Sequence, residues 1–112
     1  MALTQRVIDW QNRGRSVDFR GHQIHVFEQE GEGVPLVMLH GFPSSSYDWQ
    51  PLIDRLEGRR ILAFDFLGFG LSDKPRNHVY SLAWQADLAE ELVRSTFPKE
   101  PVSLLAHDMG TS

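Results

Sequence analysis

The segment Ala106-His107-Asp108-Met109-Gly110 holds the side chain with the clearest chemical potential in the sequence. It follows an apolar run and has the pattern small, any, nucleophile, any, small, which is typical of a nucleophile elbow between a strand and a helix. The positions two residues from the centre must be small, because larger side chains would collide in so sharp a turn. Asp108 is therefore predicted to be a nucleophile, and the alternative is that it only caps a helix.

An aspartate at this position favours a particular chemistry, because a carboxylate needs no base to become a nucleophile. Asp108 can attack a saturated carbon that carries a leaving group, as in an epoxide or an alkyl halide, and form an ester with it. A water molecule activated by a histidine would then hydrolyse that ester at the aspartyl carbonyl. The backbone N–H of Met109 is expected to stabilise the oxyanion of this second step.

A second loop, His40-Gly41-Phe42-Pro43, follows another apolar run. Gly41 allows a sharp turn after the strand, and Pro43 makes the loop rigid. The N–H of Phe42 can then serve as the second oxyanion donor. His40 is expected to orient the loop by hydrogen bonding, without taking part in proton transfer.

A third loop, residues 65–73, is rich in glycine. Gly68 and Gly70 are expected to let it turn, and Asp65 and Ser72 to hold it through local hydrogen bonds. The loop lacks the lysine and the spacing of a phosphate-binding loop, so no nucleotide cofactor is expected. The five histidines of the chain include no helical pair of the zinc-protease type, so no metal site is expected either.

Short apolar runs that alternate with turn residues predict five strands. The first two should pair as a hairpin, and the last three should each precede one of the loops described above. The predicted strands cover residues 16–19, 23–27, 35–39, 60–65 and 102–106.

Helices are predicted before and between these strands. The first is short and ends at Gly14, the second is capped by Asp48 and ends at Gly58, and the third is capped by Ser81. The alternation of strands and helices indicates an α/β fold with a mostly parallel sheet and flanking helices. In such a sheet, functional residues collect at the carboxyl ends of the strands.

Composition limits the classes of protein to which the chain can belong. It has 112 residues, 41% of them hydrophobic, no cysteine and a formal charge of −4, which indicates one soluble globular domain at most and argues against a nucleic-acid partner. No apolar run is long enough to span a membrane, and we expect no signal peptide. The lack of cysteine is compatible with a reducing compartment, and we expect a cytoplasmic protein.

Taken together, these segments resemble the α/β-hydrolase superfamily from roughly residue 19 to residue 112. The aspartate at the elbow is similar to the branch of epoxide hydrolases and haloalkane dehalogenases, and the loop at residues 40–43 has the form usual in epoxide hydrolases. The nearest resemblance is to the mesoderm-specific transcript proteins and their bacterial relatives. It rests on residues 41–49, 65–75 and 104–108.

The resemblance implies a hydrolase that forms a covalent alkyl-enzyme ester with a small apolar electrophile. Haloalkane dehalogenases usually place a tryptophan after the nucleophile to hold the halide, and often an asparagine at the second donor. This chain has Met109 and Phe42 there, so epoxides rank before alkyl halides as substrates. The alternatives are a haloalkane dehalogenase, a carboxylester hydrolase and a non-catalytic binding protein with the hydrolase fold.

The resemblance also implies that residues 1–112 are the N-terminal part of one α/β-hydrolase core domain. The cap domain, the catalytic histidine and its acid partner would then follow the elbow in the full-length protein. Alone, residues 1–112 are expected to be inactive and poorly soluble. The sequence does not indicate an oligomeric state.

Overall fold

The computed structural model of the chain describes residues 5–41, 45–75 and 81–107. Three strands follow the first helix, and helices and strands alternate after the third strand, as the apolar pattern predicts. In chain order they are α1 (Gln5–Arg13), β1 (Arg15–Phe19), β2 (His22–Gln29), β3 (Glu32–Leu39), a 3-10 helix (Ser46–Trp49), α2 (Gln50–Ile53), β4 (Arg59–Phe64), α3 (Leu82–Thr96) and β5 (Ser103–Ala106).

The described strands form one open five-stranded sheet in the order β1-β2-β4-β3-β5. β3 lies parallel to β4 on one side and to β5 on the other, whereas β2 lies antiparallel to both β1 and β4. Leu39 of β3 pairs with Phe64 of β4 and with Ala106 of β5. The α/β fold and the hairpin are confirmed, and the carboxyl ends of β3, β4 and β5 lie at one edge of the sheet.

Two apolar clusters use alternate residues of the central strands. Ile61 and Ala63 of β4 contribute to one cluster, and Leu62 and Phe64 contribute to the other. Side chains alternate between the two faces of a strand, so α3 covers one face while α1 and α2 cover the opposite face. Residues 61–64 of β4 are therefore buried on both faces, which explains why this part of the strand is continuously apolar.

The helical segment after β3 begins and ends earlier than predicted. Ser45, not Asp48, provides the cap, because its hydroxyl already accepts the N–H of Tyr47 at 3.2 Å at the start of the 3-10 turn. α2 ends at Ile53 and gives way to tighter turns with hydrogen bonds between residues three apart. Gly58, at a φ of +85°, ends these turns rather than the helix itself.

The predicted cap of α3 is confirmed. The hydroxyl of Ser81 accepts the N–H of Trp84 at 3.1 Å, and Leu88 and Leu92 lie on the buried side of the helix. In the described parts of the chain, neither α3 nor any other helix is long and apolar enough to cross a membrane.

Candidate active site

Three loops follow the parallel strands at one edge of the sheet. One begins with His40 after β3, one with Asp65 after β4 and one with His107 after β5. The N–H of His107 donates to the carbonyl of Leu39 at 3.1 Å. The contact between β3 and β5 therefore extends to the residue directly before the predicted nucleophile.

The residues predicted to react with substrate or to stabilise the oxyanion lie outside the described residues. These residues are Phe42, Asp108 and Met109, and Pro43 of the predicted supporting loop also lies outside the described residues. The structure describes Gly41, directly before Phe42, and His107, directly before Asp108. His40 and Gly41 belong to the predicted supporting loop. The roles of all these residues stay predictions.

His40 is 1% exposed and connects two of the loops. Its Nε2 accepts the N–H of Phe66 at 3.0 Å, and its Nδ1 lies 2.7 Å from the carbonyl oxygen of Gly41. Because Nε2 accepts, the proton is assigned to Nδ1, which donates to Gly41. Both ring nitrogens are engaged, so neither is available to take a proton from substrate or water.

Burial lowers the pKa of His40, because the charged imidazolium is disfavoured away from water. The hydrogen bond to the carbonyl of Gly41 and the charges of Asp65 and Asp48 oppose this effect. The ring also packs edge-on against Phe66, with the centroids 4.9 Å apart. The structure therefore holds a neutral imidazole at the start of the loop after β3.

Asp65 is 1% exposed, and its carboxylate accepts two backbone hydrogen bonds. Oδ1 accepts the N–H of Ser46 at 2.6 Å, and Oδ2 accepts the N–H of Leu71 at 2.8 Å. The Ser46 contact reaches the end of the loop after β3, and the Leu71 contact closes the loop after β4. One buried carboxylate thus holds parts of both loops.

The main chain of Asp65 also forms two hydrogen bonds. Its N–H donates to the carbonyl of His25 at 3.0 Å, and its own carbonyl accepts the hydroxyl of Ser72 at 2.6 Å. Ser72 in turn accepts the N–H of His25 at 2.9 Å. The prediction that Asp65 and Ser72 hold this loop by hydrogen bonds is confirmed.

Gly70 is required by the close approach of the same carboxylate. Its φ is +53°, and a Cβ at this position would lie 2.5 Å from Oδ2 of Asp65 and 2.7 Å from Cβ of Ser45. Gly68 also has a positive φ, of +89°. Glycine therefore allows this loop to turn and to approach the neighbouring loop, as the sequence predicts.

His40, Asp65 and Phe66, here called the loop clamp, hold both ends of the loop after β3. The N–H of Phe66 positions His40 and hence Gly41 at the beginning of the loop, and Asp65 holds Ser46 at its end. The residues between these ends include Phe42, the predicted oxyanion donor. Hydrogen bonds from a neighbouring strand end therefore restrain the loop on both sides of that residue.

A cavity of about 220 Å³ lies beside the loop clamp. It is lined by His40, Gly41, Asp48, Trp49 and His107. The indole N–H of Trp49 is buried and has no hydrogen-bond partner in the described parts of the chain. The cavity thus borders the predicted oxyanion loop and the residue before the predicted nucleophile.

Sequence patterns missed two residues that hold this region. Trp10 lies in the first predicted helix, and its indole N–H donates to the hydroxyl of Ser46 at 3.3 Å. Ser46 lies in a run of serines, and nothing local distinguishes it from its neighbours. Among the described residues, no group of three or more histidine, aspartate or glutamate side chains is arranged to bind a metal ion.

Comparisons of the sequence with known proteins identify the fold family of this chain. Residues 34–112 match the family profile described as the alpha/beta hydrolase fold. The human mesoderm-specific transcript homolog protein is 40% identical over 96% of this chain and 34% of its own length. The putative hydrolase LipZ of Mycobacterium tuberculosis is 45% identical over 95% of this chain and 36% of its own length.

The structure of a known protein superposes on the described fold. The haloalkane dehalogenase DatA of Agrobacterium tumefaciens superposes with a TM-score of 0.75 and 37% identity, over 87% of this chain and 33% of that one. The chain spans about a third of the length of LipZ and of the human mesoderm-specific transcript homolog protein. The resemblance identified from the sequence is confirmed: this chain belongs to the alpha/beta hydrolase fold family.

Proposed function

We propose that the protein containing this chain is a hydrolase in which Asp108 forms a covalent ester with a small apolar electrophile, an epoxide first. The observation that supports it most is the position of His107. Its N–H is bound to Leu39, directly before the loop that contains Phe42. The neighbouring residues Asp108 and Phe42 are thereby expected to lie close together at one sheet edge, where α/β folds place their active sites.

In the first step, a carboxylate oxygen of Asp108 attacks a carbon of the epoxide ring. A carbon–oxygen bond forms to the enzyme as the ring carbon–oxygen bond breaks, and the alkoxide takes a proton from an acid elsewhere in the full-length protein. The product of this step is a neutral hydroxyalkyl ester of Asp108.

In the second step, water adds to the carbonyl carbon of the Asp108 ester, and a histidine of the full-length protein takes its proton. The N–H groups of Phe42 and Met109 stabilise the resulting oxyanion. Collapse of the tetrahedral species breaks the bond to the alkyl oxygen, which comes from Asp108. The departing alkoxide takes the proton from the histidine to give the diol, and the carboxylate of Asp108 is restored. Loss of one oxyanion donor typically costs an enzyme about 10²–10³ in rate.

His40, Gly41 and Pro43 support the loop that carries the Phe42 donor. The neutral, fully hydrogen-bonded ring of His40 suits this role, because it holds Gly41 without exchanging protons. A charged ring would carry a proton on both nitrogens, so it could no longer accept the N–H of Phe66. We therefore assign His40 to positioning and not to acid–base chemistry.

The nucleophile is tested by Asp108→Ala in the full-length protein. We expect hydrolysis of a small apolar epoxide to stop, whereas Asp87→Asn, at an exposed ion pair with Arg20, leaves the rate unchanged. A single turnover in heavy-oxygen water should place the label in the carboxylate of Asp108. Retained hydrolysis in the Asp108→Ala variant, or label found in the product alone, would show that the assignment is wrong.

A haloalkane dehalogenase is the second candidate, supported by the likeness to DatA. The same Asp108 ester would then form with release of a halide ion, so halide release from a chloroalkane or bromoalkane distinguishes it from epoxide opening. A carboxylester hydrolase is less favoured, because attack by aspartate on an acyl group would give an anhydride. A non-catalytic binding protein would bind a small apolar ligand without forming any ester.

A further inference from the structure

The N-terminal helix contacts the loop after β3 through a buried hydrogen bond. Trp10 of α1 is 2% exposed, and its indole N–H donates to the hydroxyl of Ser46 at 3.3 Å. Ser46 is fully buried and donates its own N–H to Asp65 at 2.6 Å. Side chains from two separate elements therefore hold Ser46.

The indole of Trp10 has little freedom to leave this position. It stacks on Phe27 of β2, with the centroids 4.8 Å apart and the planes inclined by 23°. Tyr47 packs against it at 6.2 Å, and the guanidinium of Arg13 lies 5.4 Å from its centroid. The donor to Ser46 is thus fixed by packing on the sheet, which makes it a rigid support.

α1 itself is docked onto the elements that follow the loop. Arg13 forms an ion pair with Asp54 at 3.0 Å, just after α2. Trp10 is the buried residue of this helix. The contact of the helix with the core is therefore centred on the same side chain that binds Ser46.

We infer that Trp10 is a positioning residue for the oxyanion loop and acts through Ser46. The inference rests on the proposed function, in which Phe42 of that loop stabilises the oxyanion. Asp65 and Trp10 hold Ser46 from two directions, and without the indole N–H the hydroxyl of Ser46 has lost its buried donor. The end of the loop then gains freedom to shift, and the N–H of Phe42 shifts with it.

The proposed chemistry separates this role from simple core packing. The oxyanion forms only when the ester is hydrolysed, so a displaced donor slows the second step and leaves attack by Asp108 unchanged. General loosening of the core would lower both rates or neither. A positioning defect therefore makes the alkyl-enzyme ester accumulate.

The test uses Trp10→Phe in the full-length protein, because phenylalanine keeps an aromatic ring in the core and removes the N–H. Ser46→Ala removes the acceptor and leaves the indole in place. We expect each variant to slow ester hydrolysis about tenfold, less than the loss of a donor itself. Trp84→Phe, a half-buried tryptophan of α3, is the control and should leave both steps unchanged.

Rapid quenching and mass measurement of the intact protein follow the two steps with a small apolar epoxide. Accumulation of ester in Trp10→Phe and Ser46→Ala, with a double variant no slower than either alone, supports the inference. Unchanged ester hydrolysis, or equal loss in both steps, overturns it. If Trp10→Phe does not fold, Ser46→Ala decides by the same criteria. If the unaltered protein forms no ester at all, the proposed function fails instead.

Discussion

The carboxylate of Asp65 accepts the backbone N–H of Ser46 at 2.6 Å, although 19 residues separate them in the chain. Both residues are buried, and the other carboxylate oxygen accepts the N–H of Leu71. Charge-assisted hydrogen bonds of this kind are stronger than neutral ones, and a buried carboxylate requires them. This single side chain therefore links the loops after β3 and β4.

Asp65→Asn is expected to lower the free energy of unfolding of the full-length protein by about 1–3 kcal/mol. Asparagine has one acceptor oxygen for the N–H groups of Ser46 and Leu71, and its amide N–H₂ would face the other donor. Urea unfolding at pH 7.5 measures the change. Asp87→Asn, at an exposed ion pair, is the control and should change the free energy by less than about 1 kcal/mol. Equal effects of the two substitutions would contradict the role of Asp65.

Gly70→Ala is expected to destabilise the protein more than Gly21→Ala. Both glycines have a positive φ, so alanine strains the backbone at either position by about 1–2 kcal/mol. At Gly70 the added Cβ would also lie 2.5 Å from Oδ2 of Asp65, whereas at Gly21 nothing lies within 4 Å. Thermal unfolding of the two variants compares them directly. A smaller loss at Gly70 than at Gly21 would show that the loop adapts without cost.

The free energy of unfolding is expected to fall as the pH decreases below about 6.5. Burial lowers the pKa of both His25 and His40 from the ordinary value of 6.5, while the charge of Asp65 opposes the shift. The unfolded chain therefore takes up protons first, and stability that is complete above pH 6.5 is lost below it. The slope is at most about 1.4 kcal/mol per pH unit for each histidine.

Urea unfolding between pH 5 and pH 8 tests this dependence. His25→Asn and His40→Asn should each reduce its slope relative to that of the unaltered protein. The comparison of slopes removes the contribution of other titrating groups. Slopes in both variants equal to that of the unaltered protein would mean that neither buried histidine is responsible.

Residues 1–112 alone are expected to self-associate and to be inactive. Leu104 is 65% exposed on β5, an edge strand of the described sheet. It borders an apolar groove of about 310 Å³ that also includes Val37, Leu39, Ala89, Val93 and Val102. Exposed edges and apolar patches of this kind promote association.

Sedimentation of this 112-residue polypeptide measures its association. Leu104→Lys should reduce it more than Leu82→Lys, at a leucine that is 53% exposed on α3. Lysine at β5 adds charge to both the open edge and the apolar groove. A monomeric polypeptide without substitution, or an equal effect at both positions, would contradict the prediction.

Local patterns were sufficient for most of the fold. The apolar run of β4, the turn at Gly21 and the hydroxyl of Ser81 each specify their element through neighbouring residues. The prediction that Asp48 caps the helical segment after β3 was wrong, because Ser45 lies three residues earlier and its side chain can also cap a helix. Which of them does so depends on where the loop ends, and Asp65 holds that loop from another strand.

The sequence by itself determined the α/β fold, the family and the sheet edge where the loops meet, because apolar periodicity and turn residues act over short distances. Only the tertiary structure decided how the loops are held. The hydrogen bond between His40 and Phe66 spans 26 residues of the chain, and the one between Ser46 and Asp65 spans 19. The hydrogen bond between Trp10 and Ser46 spans 36. These partners come together because β3 and β4 pair in one register and α1 packs on the sheet, which no local pattern specifies.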